Sequence, residues 1–301
     1  MVWIKILVTL ILLIGLLMQS NVTQLFETLK HISWNALVLT SLLVYVALLV
    51  NAIKWRVLLN HYRVLALFKL NLIATYYSTL LPGQIFGEVV KAYRLGQEGQ
   101  HEAERIAASV VVDKITGLIG VLLVGLGGLL MASPLYASTL INMFLMLTIG
   151  LVSLLYFAQF LEIPLTYLFG NKFFMSASLK RLSIAWQSYV QQPRVLLNSV
   201  TLGIIFQLLC VGIVQLLAQS LHISLSWYDT CWVFSVVSLA VFLPLSFAGI
   251  GLREGAFVGT FHLLGISSEQ ALALSFSLFS FNVLIALLGG LVELQYMRNQ
   301  S

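Results

Sequence analysis

Long apolar runs alternate along this chain with two runs that break in the middle. Uninterrupted apolar stretches long enough to cross hydrocarbon lie at about 3–19, 35–53, 107–131, 138–160, 195–219 and 270–292. Between them, segments at about 65–95 and 230–264 each carry an apolar arm, a Pro/Gly interruption and a shorter return arm. At about 1.5 Å per residue, a return arm of roughly 12 or 13 residues covers ~20 Å, short of a hydrocarbon core of ~30 Å. The pattern predicts an all-α polytopic membrane protein, a single integral membrane domain over residues 1–301, with about six transmembrane helices and two re-entrant broken-helix hairpins.

Charge position supports that count. With both interrupted segments drawn as hairpins and the N-terminus in the cytoplasm, 13 of the 16 Lys and Arg residues fall on the cytoplasmic side. Lys30 falls outside, and Lys114 and Arg253 fall within membrane segments. Drawing both as full crossings would send the loops at 91–105 and 161–194, with seven of those cations, to the other side, against the positive-inside rule. The hairpins then enter from opposite faces, as expected of an inverted repeat. A plasma (inner) membrane protein with both termini cytoplasmic is the expectation.

Composition removes other classes. Sixty per cent of the residues are hydrophobic and 9% charged, where a soluble domain carries about a quarter charged. The net charge of +5 sits in short loops with no basic stripe interleaved with aromatics, so nucleic acid is not an expected partner. Cys210 and Cys231 lack a CxxC or a His cluster, and neither a metal nor a cofactor is expected. Lys5 and the apolar run to Met18 mimic a signal peptide, but Gln19-Ser20-Asn21 lacks a small-x-small cleavage pattern, so this run reads as a retained span. Lys180, Arg181, Trp186 and Tyr189 suit either an interfacial helix or a solvated linker.

The candidate chemistry lies where the apolar runs break. Residues 80–95, LLPGQIFGEVVKAYRL, place Pro82, Gly83 and Gly87 at the turn, then Gln84, Glu88, Lys91 and Arg94 or Leu95 at helical spacings of three or four. Glu88 and Lys91 can pair, and a helix starting at mid-membrane offers free N–H groups suited to a phosphate. An interfacial turn whose charges face water is the competing reading. Residues 243–261 repeat the logic with Pro244, Gly249, Gly251, Arg253 and Glu254. Arg253 suits an anionic headgroup and Glu254 a counter-charge or proton carrier, though an internal salt bridge explains the pair equally well. Gly251, Gly255 and Gly259 recur every four residues, a small-xxx-small stripe for close helix packing. Asp113 shares a face with Gly117 and Gly120, so its carboxylate is expected to face a tightly packed neighbour. Lys114, about 10 Å from the cytoplasmic end, can snorkel and reads as topological, and Glu293 reads as interfacial. The five histidines form no ligand spacing, and Ser-x-x-Lys, GxSxG, HExxH and P-loop patterns are absent.

Three stretches, LPGQIFGEVVKAYRL at 81–95, ERIAASVVVDKITGLIG at 104–120 and AGIGLREGAFVG at 248–259, resemble the flippase-like membrane family named after the transmembrane region of lysylphosphatidylglycerol synthase. Glu88, Asp113, Arg253 and Glu254 stand at the matching positions, while Phe86 replaces a usual glycine beside Gly87. Founding members follow the membrane region with a soluble aminoacyl-transferase domain, which these 301 residues do not contain. The resemblance implies translocation of a phospholipid or lipid-linked headgroup, anionic or zwitterionic, and not its synthesis. Glu88, Lys91, Asp113, Arg253 and Glu254 are the expected transport residues. The alternatives are a non-catalytic membrane partner or regulator of a lipid- or glycan-modifying enzyme, and an intramembrane transferase with these carboxylates as bases. No nucleophile–base pair supports the transferase, so an enzyme is not expected.

Overall fold

A computed structural model of the chain describes residues 33–81, 85–98, 103–132, 137–157, 177–243, 245–246 and 248–298, with the single positions 23 and 27. The expected span at 3–19, and the turn residues Pro82, Gly83, Gln84 and Pro244, lie outside these. The described residues are helical throughout their regular structure: α1 (Trp34–Leu58), α2 (Val64–Leu80), α3 (Ile85–Glu98), α4 (Ala103–Ala132), α5 (Ala137–Phe157), α6 (Ala177–Val190), α7 (Pro193–Ser220), α8 (Trp227–Phe242), α9 (Leu252–Leu263) and α10 (Ser268–Arg298). Five of them, α1, α4, α5, α7 and α10, are long and apolar enough to span a bilayer. They coincide with five of the six predicted runs, and the protein is a multi-pass membrane protein.

Local chemistry sets the helix ends. The Ser33 hydroxyl caps α1 by accepting from Ala36 N at 3.2 Å, and Ser226 caps α8 through Asp229 N at 3.0 Å. Pro193 opens α7, where its missing N–H costs nothing. Past α9, Gly265 takes φ +70° and Ile266 N donates to Phe261 O at 2.9 Å, closing the helix end.

Two apolar cores form at opposite ends of the bundle. One gathers Trp55, Leu58, Leu67, Leu95, Ile106 and Leu196, from the end of α1, the start of α2, the end of α3 and the starts of α4 and α7. The other gathers Leu129, Leu217, Trp232, Phe257, Phe261 and Leu272, from the ends of α4, α7 and α9 and the starts of α8 and α10. The α2–α3 pair therefore leaves and returns to the first core, and the α8–α9 pair leaves and returns to the second. Each is a re-entrant hairpin, and they enter from opposite ends. Span, hairpin, span recurs as α1, α2–α3, α4 and again as α7, α8–α9, α10, with directions reversed. Return arms of 14 and 12 residues are too short to cross, which is the physical reason for the turn back.

Glycine sets how closely the elements approach. A methyl on Gly87 would lie 2.3 Å from Ala74 O, and one on Gly289 would lie 2.0 Å from Leu72 O, so α2 nests against both α3 and α10. A methyl on Gly120 would lie 2.8 Å from the carbonyl carbon of Gly203, so α4 and α7 cross backbone to backbone. The stripe predicted on α9 is different. Methyls on Gly255 and Gly259 would meet no described atom within 4 Å. The expectation of close packing there is corrected, because α9 packs through Glu254, Phe257 and Phe261 on another face.

Candidate functional site

The hairpin tips and the mid-sections of α1, α4, α7 and α10 wall a polar chamber between the two cores. Two connected cavities, of about 210 and 450 Å³, share Asn51, Glu88, Lys91, Lys114 and Asn282 in their walls. The larger also reaches Lys54, Asp113 and Gln207. A third, of about 360 Å³, adjoins them through Asn282 and reaches Arg253 on the second hairpin.

Glu88 is the hub on α3. Its carboxylate pairs with Lys91 Nζ at 2.8 Å, one helical turn on, and with Lys114 Nζ of α4 at 2.9 Å. The i, i+3 stripe read from sequence supplies the first partner. The second corrects the reading of Lys114 as a topological residue, since its ammonium turns inward to the chamber instead of snorkelling outward. Lys91 is only 3% exposed. Its ammonium donates to Asn71 Oδ1 at 3.2 Å and stands 4.4 Å from the centre of the Trp55 ring.

Asp113 faces α1, where Lys54 Nζ donates to its carboxylate at 2.7 Å and to its main-chain oxygen at 2.5 Å. Gly117, one turn along α4, makes room for that ammonium: a methyl there would sit 3.3 Å from Nζ. Sequence placed Asp113 on a packed face correctly but counted Lys54 only among the 13 cations of the cytoplasmic side. Four residues from the end of α1, Lys54 carries no local mark of burial, and only the distant partner on α4 reveals it.

A separate clasp forms where α2, α3 and α10 meet. Glu293 accepts from Arg94 and from the Tyr77 hydroxyl, the latter at 2.9 Å, and Arg94 stacks 4.8 Å over Tyr296. Glu293 is buried, which corrects its reading as interfacial. Its acid group anchors the first hairpin to the last span instead of facing water.

The second hairpin turns on Ala248, Gly249 and Gly251, all at positive φ (52°, 76° and 85°). At the start of α9, Glu254 is fully buried and accepts from Gly251 N at 2.6 Å and from the Ser275 hydroxyl at 2.8 Å. Arg253 closes on the same carboxylate at 2.6 Å, donates to Ser275 at 2.9 Å and stacks 4.8 Å from Phe279. The geometry is that of an internal pair, and the helix-start donor at Gly251 is used by Glu254 itself. Glu88, Lys91 and Asp113 thus meet in one chamber, while Arg253 and Glu254 hold the turn beside it. Among the described residues no group of three His, Cys, Asp or Glu is gathered that could hold a metal.

No curated protein and no solved structure matches the chain significantly. The family profile described as the lysylphosphatidylglycerol synthase TM region matches residues 2–290. With that match spanning the two hairpins, the chamber and all but the end of α10, the chain belongs to the lysylphosphatidylglycerol synthase transmembrane-region family.

Proposed function

We propose that this protein moves a membrane lipid from one leaflet to the other, holding the headgroup in the polar chamber while the acyl tails stay in hydrocarbon. One observation carries the reading: the charged groups Glu88, Lys91, Asp113 and Lys114 line a cavity between two re-entrant hairpins that enter from opposite ends. Charges at mid-bundle are costly unless a function retains them. Broken helices at a midplane cavity are the arrangement by which transporters expose one site to either side. The carboxylates are held by lysines instead of facing a nucleophile, so the reading is transport without bond chemistry. The described cations Arg56, Arg63, Arg105 and Arg194 adjoin the end of the bundle holding Trp55 and Ile106, which we assign to the cytoplasm, in a plasma membrane.

The test is lipid movement by purified protein in liposomes with a panel of labelled headgroups. Glu88→Gln and Lys91→Gln, folded and inserted, are expected to slow movement at least about tenfold, the equivalent of ~1.4 kcal/mol on the barrier. Wild-type rates in both variants, or no movement of any lipid by folded wild-type protein, would overturn the reading.

A further inference from the structure

Among the described residues, the chamber is short of negative charge. Lys54, Lys91 and Lys114 contribute three ammonium groups to its wall, against the two carboxylates of Glu88 and Asp113. Glu88 is divided between two lysines. The neighbouring Arg253–Glu254 and Arg94–Glu293 pairs are balanced within themselves and supply no spare anion. With Lys54 and Lys91 each only 3% exposed, an excess positive charge beside them favours an anionic occupant.

Two buried amides point to the same chemistry. Asn71 is 4% exposed and Gln207 2%, and both line the chamber. Neither Asn71 Nδ2 nor Gln207 Nε2 has a hydrogen-bond partner among the described residues. The orientation of Asn71 is fixed, because Lys91, which can only donate, takes its oxygen. Buried N–H donors without acceptors beside an excess ammonium call for a ligand rich in acceptors and carrying negative charge.

A groove adjoins this chamber with the opposite character. Its volume is about 520 Å³ and its walls, from α3, α4, α5 and Phe242 of α8, are apolar apart from Glu88 and Lys114. Those two residues, with Leu118 and Phe242, belong to both the groove and the chamber. An ammonium at the junction of a polar chamber and an apolar slot matches an amphiphile whose anionic group and hydrocarbon chain are joined.

Resting on the translocase reading, we propose that the chamber selects lipids of net negative charge, with the phosphodiester at Lys91 and Lys114 and one acyl chain of the same lipid in the groove between α3, α4, α5 and α8. Zwitterionic lipids bring a second cation into a chamber that already has one too many, and they are disfavoured.

The experiment measures binding apart from transport. Full-length protein is equilibrated in mixed micelles holding equal amounts of phosphatidylglycerol, phosphatidylethanolamine and phosphatidylcholine, and the retained lipids are counted by native mass spectrometry. Phosphatidylglycerol is expected to be retained about tenfold over the other two, as one charge-assisted contact supplies. Lys114→Gln and Asn71→Asp, which each remove one unit of excess charge, are expected to erase the preference. Lys114→Arg and the remote control Gly255→Ala are expected to keep it. A photo-crosslinker in place of Leu154 is expected to capture an acyl chain. Equal retention of the three lipids by wild type, or a preference unchanged in Asn71→Asp and Lys114→Gln alike, would overturn the proposal. So would a crosslink from position 154 only to another segment of this chain. Charge-selective binding with no lipid movement in liposomes would instead remove the translocase reading and leave the site. Movement without charge preference would remove the site and leave the translocase.

Discussion

Lys54 is only 3% exposed and is ion-paired with a single carboxylate, which makes its partner costly to lose. Removing Asp113 leaves an uncompensated buried ammonium, so Asp113→Ala is expected to destabilise the folded protein by about 3–5 kcal/mol in reversible unfolding. The double variant Lys54→Met/Asp113→Leu, which removes both charges at similar volume, is expected to recover most of that loss. Additive losses in the two positions would show that the pair is not coupled. The same residues mark how far sequence reading reaches at this scale. Asp113 was legible because Gly117 and Gly120 lie on its helical face, and a carboxylate on such a face cannot point to lipid. Lys54 and Lys114 were not, since a lysine near the end of an apolar run looks the same whether it snorkels to water or turns in to a carboxylate. Arg253 and Glu254 were identified as a pair, and the alternative of an internal salt bridge proved to be the observed geometry.

Among the helices, glycine spacing and glycine contact prove to be different things. Gly87 and Gly289 have carbonyl oxygens where a methyl group would go, at 2.3 and 2.0 Å. Gly87→Ala and Gly289→Ala are each expected to cost about 1–3 kcal/mol of stability as α3 or α10 is pushed off α2. Gly255→Ala and Gly259→Ala, with open space at the new methyl, are expected to be neutral or slightly stabilising by up to about 1 kcal/mol from helix propensity. Thermal unfolding in detergent separates the two pairs; equal losses would restore the packing stripe on α9. A period of four is visible in sequence, but the neighbour that gives it meaning is not. Hairpins were more legible than contacts, because a return arm too short to cross is a matter of length alone.

For the molecule as a whole, the two-core arrangement makes a topological prediction. Single cysteines at His61 and Ala103, in a background lacking Cys210 and Cys231, are expected to react with an impermeant thiol reagent from one side of the membrane. Cysteines at His222 and Leu263 are expected to react from the other. Reaction of positions 61 and 103 from opposite sides would make the α2–α3 segment a single crossing and remove the first hairpin. This level was largely legible in sequence, since cation bias and segment length both follow from bilayer thickness. The chamber was not, because its walls come from α1, α2, α3, α4, α7, α8 and α10, and only tertiary packing brings them together. The crossing of α4 and α7 at Gly120 and Gly203 has a mechanical meaning of its own. At the glycines it is a contact of bare backbone, and the buried Thr116–Ser199 hydroxyl pair at 2.8 Å, one turn away, is the polar link that a swivel there would strain. Ala132 ends α4 twelve residues beyond Gly120, so a swivel of about 10° would carry that end ~3 Å, a lever long enough to part or close a gap the width of a water molecule.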